Sequence, residues 1–177
     1  MDENSKQFYD TLVSRSSVRV YQDREIEEEK IALLLETLRL SQSAANRQPW
    51  HFILLKKGEE RKGFEELLHR ETFKKAPLIL VACADPDSGW ERKYDGERYA
   101  VVDVTIAVTD MIAVANSLGL GTCWIASFDP PRLKEVLGIP DNIVPVGIIT
   151  IGYSDESEEK GETVRKSLKE IIHYDRW

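Results

Sequence analysis

Three short stretches of this chain combine residue types that could grip a small polar molecule. The first is Arg15-Ser-Ser-Val-Arg19, where two guanidinium groups flank two hydroxyls just before an extended run. Arginine forks and hydroxyl donors suit a phosphate, and each charge-assisted bond is worth about 1.5–3 kcal/mol, enough to hold a dissociable group. Taken alone, the same residues also suit a solvated helix end. The second stretch is Ser41-Gln-Ser-Ala-Ala-Asn-Arg-Gln-Pro-Trp50. Its small residues permit close backbone approach. Asn46 and Gln48 add donors and acceptors that match a flat heterocycle edged by carbonyls and ring nitrogens, although an ordinary loop would use the same residues. The third is Gly119-Leu-Gly-Thr-Cys-Trp-Ile-Ala-Ser-Phe128, with two glycines at a helix end and then a strand running into a Ser-Phe-Asp-Pro turn. Backbone N–H groups at that turn could face a ligand. Helix termination accounts for Gly119 and Gly121, but not for the whole string.

Other chemistry is disfavoured by what surrounds these stretches. Cys83 and Cys123 each sit in an apolar run with no histidine nearby, and His51, His69 and His173 are scattered, so no zinc or iron spacing is present. The cysteines read as buried free thiols. A formal net charge of −7 argues against broad binding to nucleic acid or an anionic membrane, since both need a dense cationic face. The opening residues, Met1 to Leu12, are polar and lack the charged start and apolar run of a secretory signal, so a cytoplasmic location is expected.

The elements that must position these clusters follow from hydrophobic periodicity. A first helix is expected over Ser5 to Ser14, followed by an extended Val18-Arg-Val-Tyr21. From Glu28 to Ser41, Ile31, Leu34, Leu35 and Leu38 obey the i, i+3, i+4, i+7 rule and predict one buried helical stripe. Trp50 to Leu55 and Leu78 to Ala84 read as strands buried on both faces, joined by a charged helix from about Glu59 to His69. Tyr99 to Leu118 is apolar nearly all round but interrupted by Asp103, Asp110 and Asn116, which fits a central core helix better than a bilayer span. Asp103 and Asp110 read as hydrogen-bonded core or interface groups rather than catalysts.

Gly121 to Ala126 and Val144 to Ile151 supply two further strands. Between them Asp129 caps, Pro130 starts and Gly138 stops a short helix. The acidic stretch Ser154 to Glu162 is expected to be a surface loop. Leu168 to Trp177 ends in Ile171, Ile172, Tyr174 and Trp177, an apolar terminus that needs either a partner surface or its own core. With 177 residues, 42% hydrophobic and 31% charged, the chain fits one domain, residues 1–177, and such a domain buries roughly 70% of the surface its unfolded form exposes. The expectation is an α+β sandwich with a central mixed sheet of four to five strands flanked by helices.

The three clusters, in this order and at these separations, resemble the nitroreductase-like FMN family, from about Phe8 to the closing His173-Tyr-Asp-Arg-Trp177. The most specific elements are Arg15-Ser-Ser-Val-Arg19, Asn46-Arg-Gln-Pro-Trp50 and Gly119-Leu-Gly-Thr-Cys-Trp124. The resemblance implies an intertwined homodimer with FMN at the subunit interface and NADH or NADPH as reductant, hydride passing through flavin N5 to a nitroaromatic or quinone in ping-pong fashion. By the same resemblance Arg15 and Ser17, assisted by Ser16, meet the FMN phosphate and ribityl chain, and Arg165 adds a second phosphate contact. Arg19 reaches the N1 and O2 edge, where it steadies the charge of the reduced flavin. Ser43, Asn46 and Gln48 approach the ring and ribityl hydroxyls from the opposite subunit. Trp124 and Ile125 pack near one ring face, and the N–H groups of Ala126 and Ser127 face N5 and O4.

The chain departs from the family pattern twice: Gln42 stands where relatives have proline before Ser43, and Thr163 where they often have lysine before Arg165. Trp90 to Tyr99, where relatives carry a variable segment, is either an acceptor-side lid offering Arg92, Lys93 or Arg98 to an acidic substrate, or a solvated loop. Three alternatives to nitroreduction remain: another flavin reaction such as reductive dehalogenation, FMN binding for sensing without turnover, and a structural dimer without cofactor.

Overall fold

The computed structural model describes residues 1–155, 157 and 163–177. Helix α1, Glu3–Ser14, starts on Asp2, whose Oδ1 accepts from Ser5 N at 2.9 Å. Helix α2, Glu28–Leu40, places Glu28 and Glu29 at its N-terminus and Arg39 at its C-terminus, where each complements the helix dipole. Its buried face is Ile31, Leu34 and Leu38. Leu35, expected in the same stripe, is 40% exposed in this chain. It lies one residue round the helix from Leu34, about 100° away, and falls at the edge of the buried face.

Four strands form one sheet in the order β1-β2-β4-β3: β1 Trp50–Lys56, β2 Leu78–Ala84, β3 Gly121–Ile125 and β4 Val144–Gly152. All three ladders are antiparallel. The mixed character expected from the sequence is therefore confined to one parallel bridge, Ser17 to Thr122. β2 is buried at every residue, as its apolar run requires, whereas β1 is only half-buried because it is an edge strand. Val18 to Tyr21 is extended but joins the sheet only through isolated bridges at Ser17 and Tyr21.

Alternation along β2 divides the core in two. Leu78, Leu80, Ala82 and Ala84 face Leu34 and Leu38 of α2 and Val104, Ala107 and Met111 of α5, the helix Ala100–Ser117. Ile79, Val81 and Cys83 face Phe64, Phe73 and Leu133 on the other side. The chain is thus an α+β sandwich with helices on both faces of the sheet. By length and apolarity α5 would suit a bilayer, but it packs Val104, Ala107, Val108, Met111 and Ala115 into this core.

The single charged helix expected over Glu59 to His69 is broken. A 3-10 turn at Glu59–Arg61 leads into α3, Lys62–Glu65, and α4 follows at Glu71–Lys74. Arg61 supplies the reason: it is 1% exposed and donates to Glu65 Oε1 at 2.8 Å and to the carbonyls of Ala76 and Lys74, each at 2.7 Å. These bonds fold the segment back on the guanidinium and satisfy carbonyls that a straight helix would leave elsewhere. Helix α6, Pro130–Leu137, has the predicted signature: Asp129 accepts from Arg132 N, proline leads, and Gly138 closes at φ 63°. The acidic stretch Ser154 to Glu162 falls outside the described residues at 156 and 158–162. A short α7, Leu168–Ile171, carries the tail.

Candidate active site at the sheet edges

Arg15 ends α1 in an extended conformation, and Asn116 of α5 fixes that end by donating to Thr11 O at 2.7 Å and Ser14 Oγ at 3.0 Å. The chain then runs beside β3: Val18 N donates to Thr122 O at 2.9 Å, and the Tyr21 hydroxyl bonds Val18 O at 2.6 Å and Thr150 Oγ1 at 2.7 Å. Arg15, Ser16 and Ser17 are half-buried along this edge. Among the described residues the Arg15 side chain has neither an ion pair nor a hydrogen bond, whereas Arg24, Arg39, Arg61, Arg92, Arg98 and Arg132 are all bonded to carboxylates. In a chain of net charge −7, a half-buried guanidinium without a carboxylate beside two hydroxyls fits an anion such as a phosphate monoester. Arg19 is exposed, with Nη1 donating to Ser17 O at 3.3 Å.

Along the same edge, Gly119 takes φ 75°, a conformation that would strain a side-chain-bearing residue, and turns the chain from α5 into β3. Trp124 is half-buried over Gly147, where a Cβ would come within 2.7 Å of the indole. Ile125 is buried, while Ala126 and Ser127 leave the sheet exposed, their N–H groups without a partner among the described residues. The first and third clusters are therefore brought together by the Ser17–Thr122 bridge.

The amide loop lies at the opposite edge, leading into β1. Ala45, Asn46 and Gln48 have φ values of 51°, 54° and 52°, left-handed conformations rare for residues with side chains. Ser43 Oγ accepts from Gln48 N at 3.0 Å, which leaves its hydroxyl proton free to donate elsewhere. The Gln48 amide nitrogen donates to Asn46 O and Oδ1 at 3.2 and 3.1 Å, so the two amides form one exposed unit. Ala44 N donates to Asp103 Oδ1 at 2.9 Å, and Asp85 N to Pro49 O at 2.9 Å. Trp50 pairs with Ala84, Ala84 with Val144, and Ile125 with Ile148, so the amide loop and Ala126 share one end of the sheet. Three inter-strand steps, about 14 Å, separate their strands.

The candidate residues thus fall into two groups on opposite edges of the sheet. Arg165 joins neither: it is exposed in the tail and bonded to none of the other candidates among the described residues. Around them the chain exposes Phe8, Leu12 and Val13 of α1, Leu33 and Leu40 of α2, and Val101 and Val102 of α5. The apolar tail does not bury itself either: Leu168 is 74% and Trp177 99% exposed. The Trp90 to Tyr99 segment is cross-braced. Arg92 is bonded to Asp95 and the Tyr99 hydroxyl, and Arg98 to Asp87 and Glu91. Of the three cations suggested for an acidic substrate, Arg92 and Arg98 are bonded to nearby carboxylates, and among the described residues Lys93 is not. Cys83 and Cys123 are buried, and burial pushes the Cys83 thiol up to about 11, which keeps it protonated near neutral pH.

Sequence reasoning missed Asn116 and the loop-holding part of Asp103. The signal was there, since both are polar residues in an otherwise apolar helix, but their partners lie far away in the chain.

Comparison with known proteins bears on the chain as a whole. The sequence model of the nitroreductase family matches residues 12–77 and 64–153. A protein of Archaeoglobus fulgidus with the provisional name NADH dehydrogenase/NAD(P)H nitroreductase is 33% identical over all of both chains. Among solved structures, a nitroreductase family protein of Clostridium difficile 630 superimposes with a TM-score of 0.84 at 32% identity, covering 97% of this chain and 98% of that one. An FMN-dependent nitroreductase of Clostridium difficile R20291 does so with a TM-score of 0.77 at 28% identity, covering 96% and 99%.

Proposed function

The chain belongs to the nitroreductase family, and from that premise we propose that it is an FMN-dependent oxidoreductase that draws on NADH or NADPH to reduce an electron-poor acceptor such as a nitroaromatic or a quinone. The observation that carries this reading is the half-buried Arg15 guanidinium, without a carboxylate among the described residues, beside Ser16 and Ser17 on the β3 edge.

These residues would hold the FMN phosphate, with Arg165 as a second cation from the tail. Thr163 brings no charge of its own there. When bound, FMN supplies a centre that takes hydride from a nicotinamide and yields it to a second substrate. Arg19 offers a fixed positive charge that cannot be lost to deprotonation, which favours the charge gained on reduction. The N–H groups of Ala126 and Ser127 offer donors set by the end of β3, and Trp124 and Ile125 an apolar wall. None of these groups is a general acid or base near neutral pH. The protein's contribution is placement and electrostatic field.

Completion of the site by a second copy explains why Ser43, Asn46 and Gln48 sit at the far edge. A two-fold axis that brings one copy's amide loop to the other's β3 edge makes two equivalent sites. The apolar residues exposed on α1, α2, α5 and the tail supply the surface such a homodimer would bury.

The test is the visible spectrum of the purified protein, followed anaerobically as NADH and then NADPH is added. A yellow dimer that bleaches is expected. A protein that stays colourless after reconstitution with FMN overturns the reading.

A further inference from the structure

Among the described residues, one side chain from elsewhere in the chain bonds the middle of the amide loop, the Asp103 carboxylate. Hydrogen bonds within the loop are local: Asn46 N to Ser43 O, Arg47 N to Ala44 O, Gln48 N to Ser43 Oγ, and the Gln48 amide to Asn46. Among the described residues, the only hydrogen bond from residues 42–48 to the rest of the chain is Ala44 N to Asp103 Oδ1, at 2.9 Å. Three residues of the loop hold left-handed backbone conformations, which Asn46 tolerates but the side chains of Ala45 and Gln48 oppose. Such a geometry persists only where the surroundings impose it.

Asp103 can impose it because it is itself immobile. It sits in the first turn of α5, its N–H bonded to Tyr99 O, and it is 1% exposed. Its Oδ2 is buried with no hydrogen-bond partner among the described residues. An asparagine would satisfy Ala44 N–H without burying an ionisable group, so the carboxylate costs the fold more than that bond alone requires.

We infer that Asp103 is a positioning residue for the active site: through Ala44 it fixes the left-handed loop, and with it the place where Asn46 and Gln48 meet FMN. This rests on the FMN reading for the ligand, but the claim about the loop stands on the chain itself. On this reading Asp103 acts through its bond to Ala44 N and not by contact with FMN or substrate.

The experiment compares Asp103→Leu and Asp103→Asn, each alone and combined with Asn46→Ala plus Gln48→Ala, with Glu60→Gln, an exposed carboxylate in the turn before α3, as control. FMN affinity is read by fluorescence titration, and amide hydrogen exchange across residues 42–48 is read with and without FMN. Asp103→Leu is expected to weaken FMN binding about tenfold in the natural background but no more than about twofold once the amides are gone, the non-additivity of groups acting as one unit. Exchange at Ala44 should rise in Asp103→Leu already without FMN. Asp103→Asn keeps an acceptor and should recover most of both effects. Should Asp103→Leu fail to fold, Asp103→Ala removes the acceptor without adding bulk.

Equal weakening in both backgrounds, or unchanged exchange at Ala44, overturns the inference. If the unaltered protein binds no FMN, the functional reading falls instead, and the exchange measurement still decides whether Asp103 holds the loop.

Discussion

Gly121 lies so close beneath Val18 that a Cβ on the glycine would come within 2.5 Å of Val18 Cγ2. Val18 cannot retreat easily: it is buried, β-branched and bonded through its N–H to Thr122 O. The contact seats the Arg15–Arg19 segment against β3.

Gly121→Ala should therefore lift that segment off the sheet. Overpacking of this kind costs about 1–3 kcal/mol, and the FMN-binding half-site should loosen with it. A thermal melt and an FMN titration of the variant measure the two effects together. A stable variant with unaltered affinity would show that the seat does not matter.

Arg15→Ala separates binding from folding. The guanidinium has no partner among the described residues, so its loss should leave thermal stability nearly unchanged. FMN affinity should fall by about 1.5–3 kcal/mol, the worth of a charge-assisted bond, or roughly tenfold to a hundredfold. Calorimetric titration of the apoprotein reads this directly.

Arg19→Ala should have the opposite profile. FMN should stay largely bound, while the reduction step slows by roughly ten- to a hundredfold as the fixed charge is removed. Stopped-flow reduction by NADH or NADPH checks it. Unchanged reduction kinetics would refute the assigned role.

Acid stability should depend on Tyr153. The Tyr153 hydroxyl donates to Glu27, and with the Glu27 N–H, Arg24 and Lys30 it holds that carboxyl down at about 2. A group depressed in the folded state stabilises it at pH above the ordinary carboxylate value of 4.5 and loses that contribution as pH falls towards 2. Tyr153→Phe removes the largest contributor, so stability lost between those values should shrink. Urea midpoints measured from pH 6 down to about pH 2 give the comparison.

The sequence alone determined whatever depends on neighbours along the chain. The long apolar run of α5, the unbroken apolar run of β2 and the Asp129, Pro130 and Gly138 signals of α6 are local rules of backbone and burial, and the structure obeys them. The Arg15, Asn46 and Gly119 clusters were legible for the same reason, each being a contiguous string. Only tertiary structure decided what depends on partners distant in sequence. It made β1 an edge strand, left Leu35 at the rim of its stripe, and bent the Glu59 to His69 segment round a buried Arg61. It also joined Ala44 to Asp103 across 59 positions, and it put the two groups of candidate residues on opposite edges of the sheet. Periodicity reports which side of an element is apolar. Which element covers that side, and which orphaned donor meets which acceptor, is settled only when long-range packing closes.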